Sequence, residues 1–315
     1  VSVCEEDLPL PREGRARELW EERCARETRE GLHGGSEETL GSLRRWLVIN
    51  GIKSAIKLSG LWGRGRRNAQ RPILREEVLS CPGLPSALAG LRVLHLSDFH
   101  LRAADPEFTE HVAGLLAGLD VDLCLVTGDY CYGHFGFPDH IEEGLARIMA
   151  GVTSAYGMYG VLGNHDKSTS VPLITRAGIQ LLINEGVALN VRGTRVWIGG
   201  VDDPHHFRCA SVPDALPGSV VADYRILLAH SPECVEDAVN AGANLYFCGH
   251  SHGGQIRLPG GYAPLTHTRG HRRYVSGTWR TGGMVGHTSM GLGTSDVPVR
   301  FNCRGEAVCF TLQSV

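Results

Sequence analysis

Lysine is nearly absent from this sequence: Lys53, Lys57 and Lys167 stand against 28 arginines. Long apolar runs are missing too. The longest uncharged stretch in the most apolar N-terminal segment, Trp46 to Ile52, is far below the roughly 20 residues a membrane-spanning helix needs. Ten cysteines are scattered with no CxxC pair. This argues against a zinc ribbon or disulfide framework and for reduced thiols in a cytosolic protein. A formal charge of −3 over 315 residues provides no overall basicity, so nucleic acid is not an expected partner. No basic-then-apolar leader with a cleavage site opens the chain, and no internal repeat is found. What remains is ordinary globular composition, 42% hydrophobic and 21% charged, with length for one large α/β domain or two smaller ones.

Local charge divides the chain. Residues 1–38 hold six Arg against eleven Asp or Glu and few apolar residues, which reads as a poorly ordered or loosely helical acidic extension. Residues 39–75 hold nine Lys or Arg and no acid. There Leu43, Leu47, Ile52, Ile56, Leu58 and Leu61 cover a wide arc when wound as a helix, with Asn50, Lys53, Lys57 and Arg64 opposite. A cationic amphipathic helix with Trp46 and Trp62 near its ends resembles an interfacial anchor on an anionic membrane surface. A helix docked on the catalytic domain, its arginines merely solvated, is the alternative.

From about residue 90 the pattern becomes short apolar runs separated by helical or Gly-rich segments: 91–97, 121–127, 157–162, 195–201, 225–229 and 244–248. This alternation predicts an α/β sheet arrangement with strands buried on both faces. Most of the runs end in residues able to do chemistry. LRVLHLS leads to Asp98 and His100; VDLCLVT to Gly128 and Asp129; GMYGVL to Asn164, His165 and Asp166; RILLA to His230; NLYFC to His250 and His252. Groups just past the carboxyl ends of strands share one crevice, where ligands bind in open α/β sheets.

The donor types select the ligand. Asp, His and one Asn, without Cys, suit Mn²⁺, with Fe²⁺ or Zn²⁺ as other candidates. Seven groups are too many for one tetrahedral site and enough for two divalent metal ions ~3.5–4 Å apart sharing one carboxylate. Such a pair generates a hydroxide nucleophile and clamps the oxygens of a phosphoryl group during in-line displacement.

The five blocks, D-x-H, G-D, G-N-H-D, a lone H and G-H-x-H, resemble the calcineurin-like metallophosphoesterase superfamily over roughly residues 90–313. The resemblance implies a metallophosphoesterase β-sandwich flanked by helices, a four-layer αββα catalytic domain over 90–315. It implies that Asp98, His100 and His252 hold one metal, that Asn164, His230 and His250 hold the other, and that Asp129 bridges. His165 would face the leaving group, with Asp166 orienting or charging it. HLSDFHL, YGVLGNHD, AHSPE and GHSHGGQIRLP are similar to the bacterial membrane-associated phosphodiesterases that include enzymes cleaving UDP-2,3-diacylglucosamine in lipid A biosynthesis. The implied reaction is hydrolysis of a phosphodiester or pyrophosphate bond by metal-bound hydroxide. A lipid-linked nucleotide-sugar substrate leads, and a soluble nucleotide or small phosphodiester is the alternative. The implied location is cytoplasmic, peripheral on the inner face of the membrane. A non-catalytic scaffold on the same fold is disfavoured, because all seven ligand positions are filled.

Other groups are read more weakly. Asp202, Asp203, His205 and His206 come directly after RVWIGGV and either reach the crevice or are turn residues around Pro204. His95 reads as structural. Tyr130, Phe135 and Phe137 either contact acyl chains or pack a local core, and 130–150 and 255–290 are the candidate walls of the crevice.

Overall fold

The computed structural model describes residues 13–32, 40–133, 139–266, 268 and 272–315. Phe135 and Phe137 lie outside the described residues. In chain order the helices are α1 (Gly14–Leu32), α2 (Leu40–Leu58), α3 (Trp62–Ala69), α4 (Pro106–Leu116), α5 (Asp139–Met149), α6 (Val171–Arg176), α7 (Val212–Ala215) and α8 (Val235–Asn240). The strands are β1 (Ile73–Cys81), β2 (Arg92–Leu96), β3 (Leu119–Val121), β4 (Leu123–Val126), β5 (Val152–Ser154), β6 (Met158–Gly160) and β7 (Gln180–Leu181). They continue with β8 (Glu185–Val191), β9 (Thr194–Gly200), β10 (Tyr224–Leu228), β11 (Leu245–Cys248), β12 (Gly277–Thr281), β13 (Met284–Thr288) and β14 (Glu306–Ser314).

Two six-stranded sheets form the centre, in the orders β1-β14-β2-β4-β6-β7 and β12-β13-β11-β10-β9-β8. In the first, β2, β4, β6 and β7 run parallel. In the second, β9, β10, β11 and β13 do so. Strand parity explains why these segments are apolar throughout. Along β10, Ile226 and Leu228 point between the sheets and Leu227 points to the outer helices. In β4, Leu123 and Leu125 point inward while Cys124 and Val126 face the helices on the other side.

Three cores separate the four layers. Phe108, Val112, Leu145 and Ile174 of α4, α5 and α6 cover the first sheet. Val93, Phe310, Ile198 and Phe247 interdigitate between the sheets. Val212, Ala215, Val235 and Ala238 of α7 and α8 cover the second. The expected helix-flanked β-sandwich is therefore present.

The first sheet begins before residue 90. Ile73–Cys81 pairs in parallel with β14 along nine register positions. Half-exposed and charge-rich (ILREEVLSC), β1 lacks the apolar signal that marked the other strands. The N-terminal segments also differ from expectation. Within the acidic extension, α1 is a regular helix whose Trp20 is buried in the first core. The cationic segment is two helices, because the chain turns at Ser59–Leu61 with Gly60 at φ +73°. Helix α3 is seated on the body through Gly65, where an added Cβ would lie 2.6 Å from the Phe301 ring. Among the described residues no helix is long and apolar enough to cross a membrane.

Candidate metal centre

Parallel pairing aligns the strand ends. Leu96 lies opposite Val126, and Leu228 opposite Phe247. The donors two to four residues beyond each strand therefore enter one crevice between the two sheets. Asp98, His100, Asp129, Asn164, His230, His250 and His252 are all buried. His100 Nε2 lies 3.0 Å from His252 Nε2 and 3.5 Å from Asp129 Oδ2. His252 Nε2 lies 3.5 Å from Asp98 Oδ1. On the other side, His230 Nε2 is 3.2 Å from Asp129 Oδ2, 3.1 Å from Asn164 Oδ1 and 3.2 Å from His250 Nδ1. All seven predicted ligand positions thus converge, with Asp129 between the two groups.

The backbone is bent to achieve this. Asp98, His100, Asp129, His250 and His252 all have φ between +45° and +70°, a region that costs an L-residue on the order of 1 kcal/mol or more. Five strained residues in one crevice persist because the surrounding loops over-determine them. Gly163 and Gly249 supply the close approach. A Cβ on Gly163 would lie 2.2 Å from Asp129 Oδ1, and one on Gly249 would lie 2.2 Å from Asp98 Oδ2.

Ring tautomers and charge suit cations. The carbonyls of Cys131 and Thr127 accept from Nδ1 of His100 and His230 at 3.2 and 2.7 Å, which leaves each Nε2 facing the crevice. Burial pushes Asp98 up to about 6 and His100 down to about 3. Burial alone would lower His230, yet Asp129 outweighs it and drives the imidazole up to about 10. Asp129 is held well below the carboxylate range by His230 and His165 despite its own burial. Asp129 and Asp98, both buried, draw positive charge onto the His230 imidazole; a divalent ion supplies that charge directly. Ligand atoms of Asp98, His100 and His252, and of Asp129, His230 and His250, lie within 4.8 Å of one another. The residues therefore fit a pair of divalent cations.

His165 stands at the mouth, its side chain 14% exposed and Nε2 4.0 Å from Asp129 Oδ2. The ring also converges with His100 and Asp129. Asp166 requires a correction. Its Oδ2 accepts from the N–H groups of Asp129 and Gly163, each at 2.8 Å, and its Oδ1 from Tyr130 and Cys131 at 2.9 and 3.1 Å. These four bonds fill the acceptor capacity of a carboxylate. Instead of orienting His165, Asp166 locks the two ligand-bearing loops together.

The weaker candidates separate cleanly. Asp203 caps a turn, accepting from the N–H groups of His205, His206 and Phe207. Asp202 pairs with Arg23. His205, held by Glu233 at 2.7 Å, rests its ring 4.1 Å from that of the ligand candidate His250. His95 is structural, 2.9 Å from both His287 and Thr127. Tyr130 is fully buried against Phe99 and belongs to the core. Sequence reasoning missed Arg23, because one of five arginines in a charge-rich helix looks like any solvated one.

The family model for calcineurin-like phosphoesterases matches residues 91–254. The chain is 26% identical to the metallophosphoesterase YkuE of Bacillus subtilis over 254 residues, covering 76% of this chain and 85% of that one. It is 26% identical to the phosphodiesterase YaeI of Escherichia coli over 71% of this chain and 83% of the relative. With the UDP-2,3-diacylglucosamine pyrophosphatase LpxG of Chlamydia trachomatis it shares 25% identity over 55% of this chain and 66% of LpxG. The match spans the strands whose ends carry the converging donors, and the chain belongs to the calcineurin-like phosphoesterases as a metal-dependent hydrolase of phosphoric ester or pyrophosphate bonds.

Proposed function

We propose that this enzyme hydrolyses a phosphodiester or pyrophosphate bond in a lipid-linked substrate such as UDP-2,3-diacylglucosamine, working peripherally on an anionic membrane surface. The observation that carries the reading is a groove of about 190 Å³ lined by His252 together with residues of α2 and of the chain after the last ligand pair. Its walls are Ile49 and Ile52 of α2 with Ile256, Pro264, Leu265 and Val297. An apolar groove bordered by a metal-ligand candidate suits an acyl chain whose phosphoryl head lies in the crevice. A small hydrophilic phosphodiester has no use for it. Around it Trp46, Leu47, Leu258, Tyr262 and Leu265 are exposed, and the exposed Lys57 ammonium lies 5.0 Å over the Trp62 ring. Apolar and cationic groups side by side match a headgroup layer.

Two divalent cations, with Mn²⁺ the leading candidate, supply Lewis acidity and an activated water when bound. Asp98, His100 and His252 would hold one, Asn164, His230 and His250 the other, and Asp129 both. The chain's own chemistry centres on His165. From the mouth of the crevice its imidazole would donate a proton to the departing oxygen or stabilise the charge developing there.

The test compares Mn²⁺-loaded protein on UDP-2,3-diacylglucosamine and on the same compound without its acyl chains. A kcat/KM at least roughly a hundredfold higher for the acylated compound is expected, since each buried methylene adds about 0.8 kcal/mol, along with a preference reduced by Ile52→Asp. Equal values on the two, or turnover of small phosphodiesters alone, would replace this reading with a soluble phosphodiesterase.

A further inference from the structure

Helix α1 lies outside the matched family region, yet one of its side chains reaches the metal centre. Arg23 is fully buried and divides its donors four ways. Nε bonds Glu27 at 2.9 Å, Nη1 bonds Asp202, and Nη2 donates to the carbonyls of Gly163, at 3.3 Å, and of Asp166. Those two carbonyls bracket Asn164 and His165. Glu27 takes the far end of the same segment, accepting from Ser168 N at 3.0 Å and Ser168 Oγ at 2.6 Å. On the opposite side the guanidinium stacks 4.3 Å over Phe207, in the loop that sets His205 against His250.

The guanidinium therefore sits between the ligand loop of the first sheet and the 202–207 loop of the second. Both loops serve one half of the centre, the half holding Asn164, His230 and His250. A buried guanidinium is a poor device for stability alone, since apolar residues of similar volume do as well. Its planar fork, however, fixes several acceptors at once in a way neither an apolar side chain nor an ammonium can.

We infer that α1 is a positioning strap for one of the two metal sites. Arg23 and Glu27 hold residues 163–168 so that Asn164 and His165 keep their place relative to His230 and Asp129. The inference rests on Asn164 being a metal ligand and is independent of whether the substrate carries a lipid.

The test uses the full-length chain, stripped of metal and titrated with Mn²⁺ alone, following the two binding steps by calorimetry and by the Mn²⁺ paramagnetic resonance signal. Arg23→Lys keeps the charge beside Asp202 but cannot reach both carbonyls. It should weaken one binding step by about 10- to 100-fold, the range for groups that orient a metal ligand, and leave the other step unchanged. Asn164→Ala should abolish that same step. Glu27→Gln should weaken it by a few-fold, and it tests the strap through a second residue should Arg23→Lys fold poorly. If Arg23→Lys and Glu27→Gln bind both equivalents like the parent, or weaken both steps equally, the strap is refuted. If Asn164→Ala leaves both steps intact, the ligand assignment fails first and the inference falls with it.

Discussion

Helices α1 and α2 are each 19 residues long and sit side by side in the sequence, yet their burial is opposite to their composition. Helix α1 carries five Arg and five Glu and is poor in apolar residues. It buries Trp20 to 5% exposure and Arg23 completely. Helix α2 is rich in leucine and isoleucine but leaves Trp46 60% and Leu58 89% exposed. Burial follows partners, not hydrophobicity. Trp20 joins the core of the first sheet, and Arg23 meets two carboxylates and two carbonyls that need donors. The apolar side chains of α2 meet a groove on one face and, among the described residues, no protein on the other, the pattern of a surface that expects a different neighbour.

The centre itself sets the scale against which either helix is judged. Asp129→Asn removes the carboxylate shared by both ligand groups. It should lower kcat by roughly a thousandfold or more and reduce bound metal, with the circular dichroism spectrum unchanged. Two full metal equivalents with near-parental turnover would move the bridge elsewhere. Next comes the comparison of two tryptophans. Trp20→Ala should destabilise the protein by about 3 kcal/mol in urea unfolding, because it leaves a cavity under the first sheet. Trp46→Ala should change stability by less than about 0.5 kcal/mol. Similar costs would erase the contrast between the helices.

The last comparison concerns the membrane. Binding to anionic vesicles should gain about 1 kcal/mol from each basic residue near the surface. Raising salt from about 0.1 to about 1 M should weaken binding without abolishing it, since the apolar contribution is not screened. Protein that stays unbound at low salt would leave the exposed face of α2 to another partner.

Much of the centre was legible along the chain. Each donor lies within a few residues of an apolar run, and parallel pairing turns that local spacing into convergence. Local spacing therefore marked the groups that meet in the crevice, and the resemblance of the five blocks singled out seven of them as candidate ligands. Asp166 was not legible in the same way: its neighbour in sequence is His165, but its hydrogen-bond partners include the N–H groups of residues 129–131. Nor was β1, whose charges conceal a strand completed only by β14 more than 200 residues later.

The sequence by itself determined the α/β class and the candidate donor groups, because strand alternation and the residues that end each strand are local properties, and the resemblance of its five blocks pointed to the chemistry. Only the tertiary structure decided that Arg23 of a charge-rich helix bonds the carbonyls of Gly163 and Asp166, that Asp166 joins two loops, and that an apolar groove borders His252. Each of these depends on groups distant in sequence meeting in a buried space. There an unpaired charge or an empty apolar surface acquires its energetic meaning from what lies opposite it.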